Sequence, residues 1–288
     1  MALIGSRREG SRSPADSGRA LPDFIIIGAQ KCGTSSLYAY LSENPYVRAA
    51  SKKEVHYFDW NFRRGIEWYR SHFPTLEELG RCSQTGSHFL TGEASPYYLF
   101  DPRVPKRVKN QLPQVRLIVL LRNPVYRALS HFHDEARRGV EPLTFAEALD
   151  REESRLRAAR AFGRGLGRRH GYYETKAYIH YSYLARGLYA VQLQRWYRLF
   201  PAEQILVIKA EDMYADPQTT LHEVASFLGI PVFVPRKFEA VNAGSYLAMD
   251  PTLCRRLHRY FSSHNARLYR MIGKYFGWEE ALCEARTS

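Results

Sequence analysis

Apolar residues gather in four short runs along the chain, with amphipathic stretches between them. Phe24–Ala29 is apolar and rich in β-branched residues, which predicts a buried strand. His88–Glu93 predicts a second strand, Arg116–Leu121 a third and Gln204–Lys209 a fourth. A polar loop containing Gly33 follows the first run, and from Thr34 the pattern turns helical, with Leu37, Tyr40 and Leu41 on one face. Helical periodicity also covers Pro124–Arg138, Leu143–Arg160, Leu184–Phe200, Pro217–Leu228 and Pro251–Tyr275. Proline suits the first helical turn, and Gly229 marks a stop. Apolar strands alternating with amphipathic helices predict an α/β fold built on a central, mainly parallel sheet. Ligands of such sheets bind beyond the carboxyl ends of the strands, so chemistry is expected just after Ala29 and just after Leu121.

Composition narrows this picture at both ends of the chain. Of 288 residues, 42 are Lys or Arg and 29 are Asp or Glu, a net charge of +13. That balance points to an anionic ligand, nucleic acid, a membrane surface or an acidic polymer without choosing among them. Residues 1–21 hold Arg7, Arg8, Arg12 and Arg19 but no apolar segment of signal-peptide type, and read as a flexible basic arm. Residues 22–288 read as one domain. No apolar run approaches the ~18 residues that a membrane helix needs. Cys32, Cys82, Cys254 and Cys283 are scattered without a paired spacing, so neither a zinc site nor a disulfide framework is expected. They read as free thiols in a reducing cytoplasm.

Two loops carry candidate anion chemistry. In Gln30–Ser36 a strand runs through Lys31, Cys32 and Gly33 into a helix that opens on Thr34, Ser35 and Ser36. Free N–H groups and the positive dipole end of a helix favour a bound anion, and the lysine adds a charge. The plainer reading is a tight strand–helix turn with hydroxyl caps. Gly28 and Gly33 have the spacing of a nucleotide-binding loop, but Thr34 stands where that loop needs its lysine. The second loop starts at Arg122, where a nucleotide hydrolase commonly has a metal-binding acid. An arginine there suits a phosphate fork with Ser130 eight residues on, or equally a surface salt bridge.

A third cluster lies in Lys52–Asp59. In an extended chain Glu54 and His56 point the same way, a pairing able to deprotonate a hydroxyl. Burial beside Tyr57 and Phe58 would raise the Glu54 pKa toward that of an efficient base. Alternatively Glu54 pairs with Lys52 or Lys53 on the surface. Arg151–His170 is arginine-rich and glycine-punctuated, either a rim for an anionic acceptor or a solvated helix face.

Taken together these segments resemble a known family. Ile25–Leu37 is similar to the 5′-phosphosulfate loop of sulfotransferases that use 3′-phosphoadenosine 5′-phosphosulfate (PAPS), and Leu117–Phe132 resembles their 3′-phosphate motif. Lys52–Asp59 is similar to the catalytic segment of the heparan sulfate 3-O- and N-sulfotransferases and their bacterial relatives, and Tyr275–Trp278 resembles the end of that domain. The resemblance implies a P-loop-like three-layer α/β fold and PAPS as sulfuryl donor. It implies that Lys31, Cys32, Gly33, Thr34, Ser35 and Ser36 hold the 5′-phosphosulfate, and that Arg122 and Ser130 hold the 3′-phosphate. It also implies Glu54 as general base, supported by His56 and Asp59, with Lys53 near the sulfuryl group; His133 is a further candidate to stabilise the leaving phosphate. The acceptor it implies is an oligo- or polysaccharide hydroxyl, less readily an amine. No metal and no nucleic acid is expected. Two departures concern the acceptor: Glu93-Ala94-Ser95-Pro96 lacks a lysine of the 3-O enzymes, and Asn242–Tyr246 replaces a late phosphate contact. The competing classes are a P-loop kinase or NTPase and a basic nucleic-acid-binding module.

Overall fold

A computed structural model of the chain describes residues 18–81, 89–165, 171–238 and 249–280. Five parallel strands form one sheet: β1 (Phe24–Gly28), β2 (Val47–Ala49), β3 (Leu90–Ala94), β4 (Arg116–Leu121) and β5 (Ile205–Lys209), in the order β2-β3-β1-β4-β5. β1 is buried along its whole length and β4 at all but its first residue, as continuous apolar runs in a parallel sheet should be. From β1 the chain passes out to the edge strand β2, returns to β3 beside β1, then crosses to β4 and β5 on the other side. The strand order reverses between β1 and β4, the position where open α/β sheets leave a crevice.

The predicted α/β fold is the one observed, and all four predicted strands are present. β3 is displaced by two residues from its expected start; His88 lies outside the described residues. β2 had no signal, because three residues containing an arginine at a sheet edge show no periodicity. Among the helices, α1 (Thr34–Glu43), α5 (Pro124–Arg137), α6 (Phe145–Gly165), α10 (Pro217–Leu228) and α11 (Pro251–Ile272) follow the expected pattern. α11 stops before Gly273, short of the expected Tyr275. The expected Leu184–Phe200 helix divides into a 3-10 turn, Ala185–Gly187, and α8 (Tyr189–Tyr197). At the division the backbone is closely packed: a Cβ on Gly187 would lie 2.7 Å from the Phe261 ring and 2.9 Å from Pro124. The remaining helices, α2 (Ile66–Arg70), α3 (Leu76–Arg81), α4 (Val104–Gln111), α7 (Lys176–His180) and α9 (Ala210–Ala215), are eight residues or shorter, too short for a period to register.

Cys254 is disulfide-bonded, which overturns the free-thiol expectation for this residue and the ground it offered for a reducing cytoplasm. Cys32 is a buried free thiol. No described helix is long and apolar enough to cross a membrane.

Candidate active site

The loop after β1 is shaped by its backbone. Lys31 and Gly33 both adopt left-handed conformations, with φ of 68° and 83°. At Gly33 a Cβ would lie 2.5 Å from Met213 Cε and 3.0 Å from the Tyr214 ring, so only glycine fits. Gly33 precedes α1 and no side chain caps that helix, which leaves its positive end to the cleft. The Lys31 ammonium lies 3.5 Å from Asp134 on α5. Cys32 turns the other way: its side chain is fully buried, with Sγ 3.9 Å from the Tyr189 hydroxyl, and burial pushes the thiol up to about 11. The Cys32 side chain thus points into the core, away from the cavity that its neighbours line.

The loop after β4 meets the first loop at the crevice. Arg122 Nη1 donates to the Lys31 carbonyl at 3.5 Å. Asn123 caps α5 by accepting from Val125 N–H at 3.0 Å, and its own N–H donates to Glu211 at 2.8 Å. The second Glu211 oxygen accepts from the Trp278 indole N–H at 3.2 Å, so the aromatic end of the chain anchors this loop. α5 then carries Ser130 into the same cavity wall as Arg122.

The third cluster departs most from expectation. Glu54 and His56 are not extended; both hold left-handed conformations, with φ of 59° and 54°. Non-glycine residues there cost roughly 1–3 kcal/mol each and persist only where the surroundings over-determine them. The surroundings do so. Glu54 N–H donates to the Ala94 carbonyl at 3.1 Å, and His56 N–H to Ser95 Oγ at 3.2 Å. The Tyr98 hydroxyl accepts from the N–H groups of Tyr57 and Phe58 at 2.8 and 3.2 Å. Ser95 and Tyr98 in turn donate to Glu93, a fully buried carboxylate that also accepts from the Tyr69 hydroxyl at 2.8 Å. Glu93, noted in the sequence only as part of a departure, is the hub beneath the loop.

The twist still brings acid and imidazole together. His56 Nδ1 donates to the buried Asp59 at 2.8 Å, and Nε2 lies 3.3 Å from Glu54 Oε2. Lys53 Nζ is 2.6 Å from Glu54 Oε1. Burial acts against charge on both groups, but His56 and Lys53 outweigh it at Glu54 and hold that carboxyl down at about 2. This reverses the expected upward shift. Asp59 and Glu54 likewise outweigh burial at His56 and raise it to about 9. The ring is therefore an imidazolium at neutral pH. Its pairing contributes stability that is complete below the ordinary histidine pKa of ~6.5 and is lost as pH rises through about 9. In Asp59→Asn the His56 titration, followed by NMR, should fall toward ~6.5; an unmoved midpoint would show that Asp59 does not hold the proton.

One cavity of about 620 Å³ gathers these parts: Lys31, Gly33–Ser36, Glu54, His56, Arg122 and Ser130 all line it. Lys53 and Asp59 do not line it, and reach it through Glu54 and His56. His133 is also absent from the lining; His180 stands there instead. Carboxylates were not expected beside the anion loops, yet Asp134 and Glu135 line the same cavity. Asp134 is engaged by Lys31, by Arg137 at 2.5 Å and by Arg138 at 3.0 Å, and Glu135 accepts from His180 at 2.9 Å. Arg186 was missed too; it is buried, donates to Gln30, and lies over the Tyr97 ring at 4.8 Å. Its position depends on long-range packing, which leaves no local signal. Arg168, Arg169 and Asn242–Tyr246 lie outside the described residues, as does the Arg164 side chain.

Known proteins resemble this chain in sequence and fold. Residues 21–264 match the family described as Sulfotransferase domain. Heparan sulfate glucosamine 3-O-sulfotransferase 6 of Homo sapiens is 32% identical over 90% of this chain and 74% of its own length. Membrane-associated sulfotransferase kil1 of Dictyostelium discoideum is 29% identical over 90% of this chain and 67% of its own. The crystal structure of a sulfotransferase from Alicyclobacillus acidocaldarius superposes with a TM-score of 0.67 at 32% identity, covering 90% of this chain and 99% of that one. With the match spanning most of the chain and the fold shared, this protein belongs to the sulfotransferase domain family and is a sulfotransferase.

Proposed function

We propose that this sulfotransferase moves the sulfuryl group of PAPS to a hydroxyl of a carbohydrate by in-line attack, with Glu54 as general base. The observation that carries the reading is the convergence of two cationic loops and an ionised carboxylate on one cavity. The donor has an anionic group at each end, and the cavity offers Lys31 with the uncapped start of α1, and separately Arg122 with Ser130. Gly33, where a Cβ would collide with Met213 and Tyr214, allows the left-handed turn that leaves the start of α1 uncapped for an anion. A carbohydrate acceptor is supported by relatives named as heparan sulfate glucosamine 3-O-sulfotransferases. Residues 22–288 act as a single domain in this reading.

The donor, when bound, supplies a sulfuryl group attached to a phosphate leaving group. Lys31 and the N–H groups of Gly33 and Thr34 would hold that phosphate and stabilise the charge that grows on it. Glu54 takes the hydroxyl proton as the acceptor oxygen bonds to sulfur and the bond to phosphate breaks. Asp59 fixes the His56 ring, and His56 fixes the carboxylate. Lys53 is the cation nearest the carboxylate and balances charge beside it. Thermal shift tests the donor: the desulfated product, 3′-phosphoadenosine 5′-phosphate (PAP), should raise Tm by several degrees at saturating concentration, and ATP with magnesium should not. Preferential stabilisation by ATP would turn the reading toward a kinase.

A further inference from the structure

Two features of the cavity wall take no part in this chemistry. The first is Trp60. Its side chain is left 40% exposed, and its indole stacks on the His56 ring at 3.8 Å and 17°. Tyr97 flanks it at 5.5 Å. The other exposed aromatic side chains of the cavity are Tyr214, which lies against Gly33, and Phe238, which lies against Tyr40 on α1. Both therefore border the loop after β1. The exposed aromatic surface on the Glu54 side belongs to Trp60.

The second feature is a paired imidazole. His180 Nδ1 donates to Glu135 at 2.9 Å, and Glu135 is only 1% exposed. The other Glu135 oxygen lies 3.4 Å from Nε2 of His131, a fully buried ring whose pKa burial drives far below the usual range. Burial keeps His131 neutral, and the Glu135 carboxylate makes its hydrogen bond with His180. A carboxylate on one nitrogen fixes an imidazole's orientation and leaves the other nitrogen for a ligand. His180 lines the cavity with about a quarter of its side chain accessible (24%).

We infer that Trp60 and the His180–Glu135 pair build the acceptor subsite, and that it takes a pyranose ring with its C–H face on the indole and its hydroxyl edge toward His180. The inference rests on the carbohydrate reading above and adds which residues recognise the ring. The negative face of an indole attracts polarised C–H groups, and a rigid aromatic gives contact area at small entropic cost.

The test measures PAP affinity by calorimetry. It then measures binding of cellohexaose, a glucuronic acid–N-acetylglucosamine hexasaccharide and 4-nitrophenol by saturation-transfer NMR with PAP present. At least one hexasaccharide should bind, with saturation on ring C–H protons. Trp60→Ala should weaken it at least tenfold and His180→Ala at least fivefold. Trp60→Phe should recover part of the loss, and PAP affinity should stay within twofold in all three variants. Unchanged sugar affinity in Trp60→Ala and His180→Ala overturns the inference, as does binding of 4-nitrophenol to the exclusion of both sugars. Failure of the unmodified protein to bind PAP overturns the donor reading and takes this one with it. Intact PAP binding with both sugars ignored overturns the subsite alone.

Discussion

Glu54→Gln should lower kcat by at least about 10²-fold while leaving PAP affinity nearly unchanged. General bases contribute ~10²–10⁴ in rate, and glutamine keeps the size of the side chain while losing the charge. The carboxyl is held at about 2 by His56 and Lys53, so it is ionised throughout the neutral range. For a group lowered in this way the ionised form is lost only as pH falls through about 2, and the His56 proton only as pH rises through about 9. The pH profile of kcat/KM, which reports the free enzyme, should therefore be flat across neutrality and fall on its basic side. An acidic limb near pH 6 would contradict this, and near wild-type turnover by Glu54→Gln would remove the carboxylate from proton transfer. The low pKa has a consequence for the base. Lys53 at 2.6 Å depresses its proton affinity, so an arriving acceptor that displaces Lys53 would make Glu54 more basic at the moment of attack.

Lys31→Ala should lower kcat/KM by about 10²–10³, the usual cost of removing one donor aimed at developing charge. Radiolabelled sulfuryl transfer checks this, and a calorimetric PAP titration separates weaker binding from slower chemistry. The substitution is tolerable structurally. Asp134 keeps Arg137 and Arg138 when Lys31 is gone, so no carboxylate is stranded, and Tm should move by only a few degrees. Wild-type rates from Lys31→Ala would place the leaving-group contact elsewhere in the cavity.

The difference between what was legible and what was not follows the range of the interactions. Phe24–Gly28 and Arg116–Leu121 announce themselves because central parallel strands bury both faces and must be apolar throughout. Lys31, Gly33 and Arg122 are legible because each sits at a strand end, a position that chain order alone assigns. The Glu54–His56 pair is legible in composition but not in geometry: an extended reading places the two side chains together, whereas the folded loop does it with left-handed residues held by Ser95 and Tyr98.

Local order along the chain thus settles the parallel sheet, its two ligand-bearing loops and the residue types that fill them, since burial periodicity and strand-end chemistry act between neighbours. The direction of the Glu54 shift, the turning of Cys32 into the core, and the arrival of Asp134, Glu135, His180 and Arg186 in the cavity belong to the folded molecule. Each depends on charges and surfaces brought together from distant segments, and electrostatic energy is set by those distances and by burial, neither of which is written in the order of the residues.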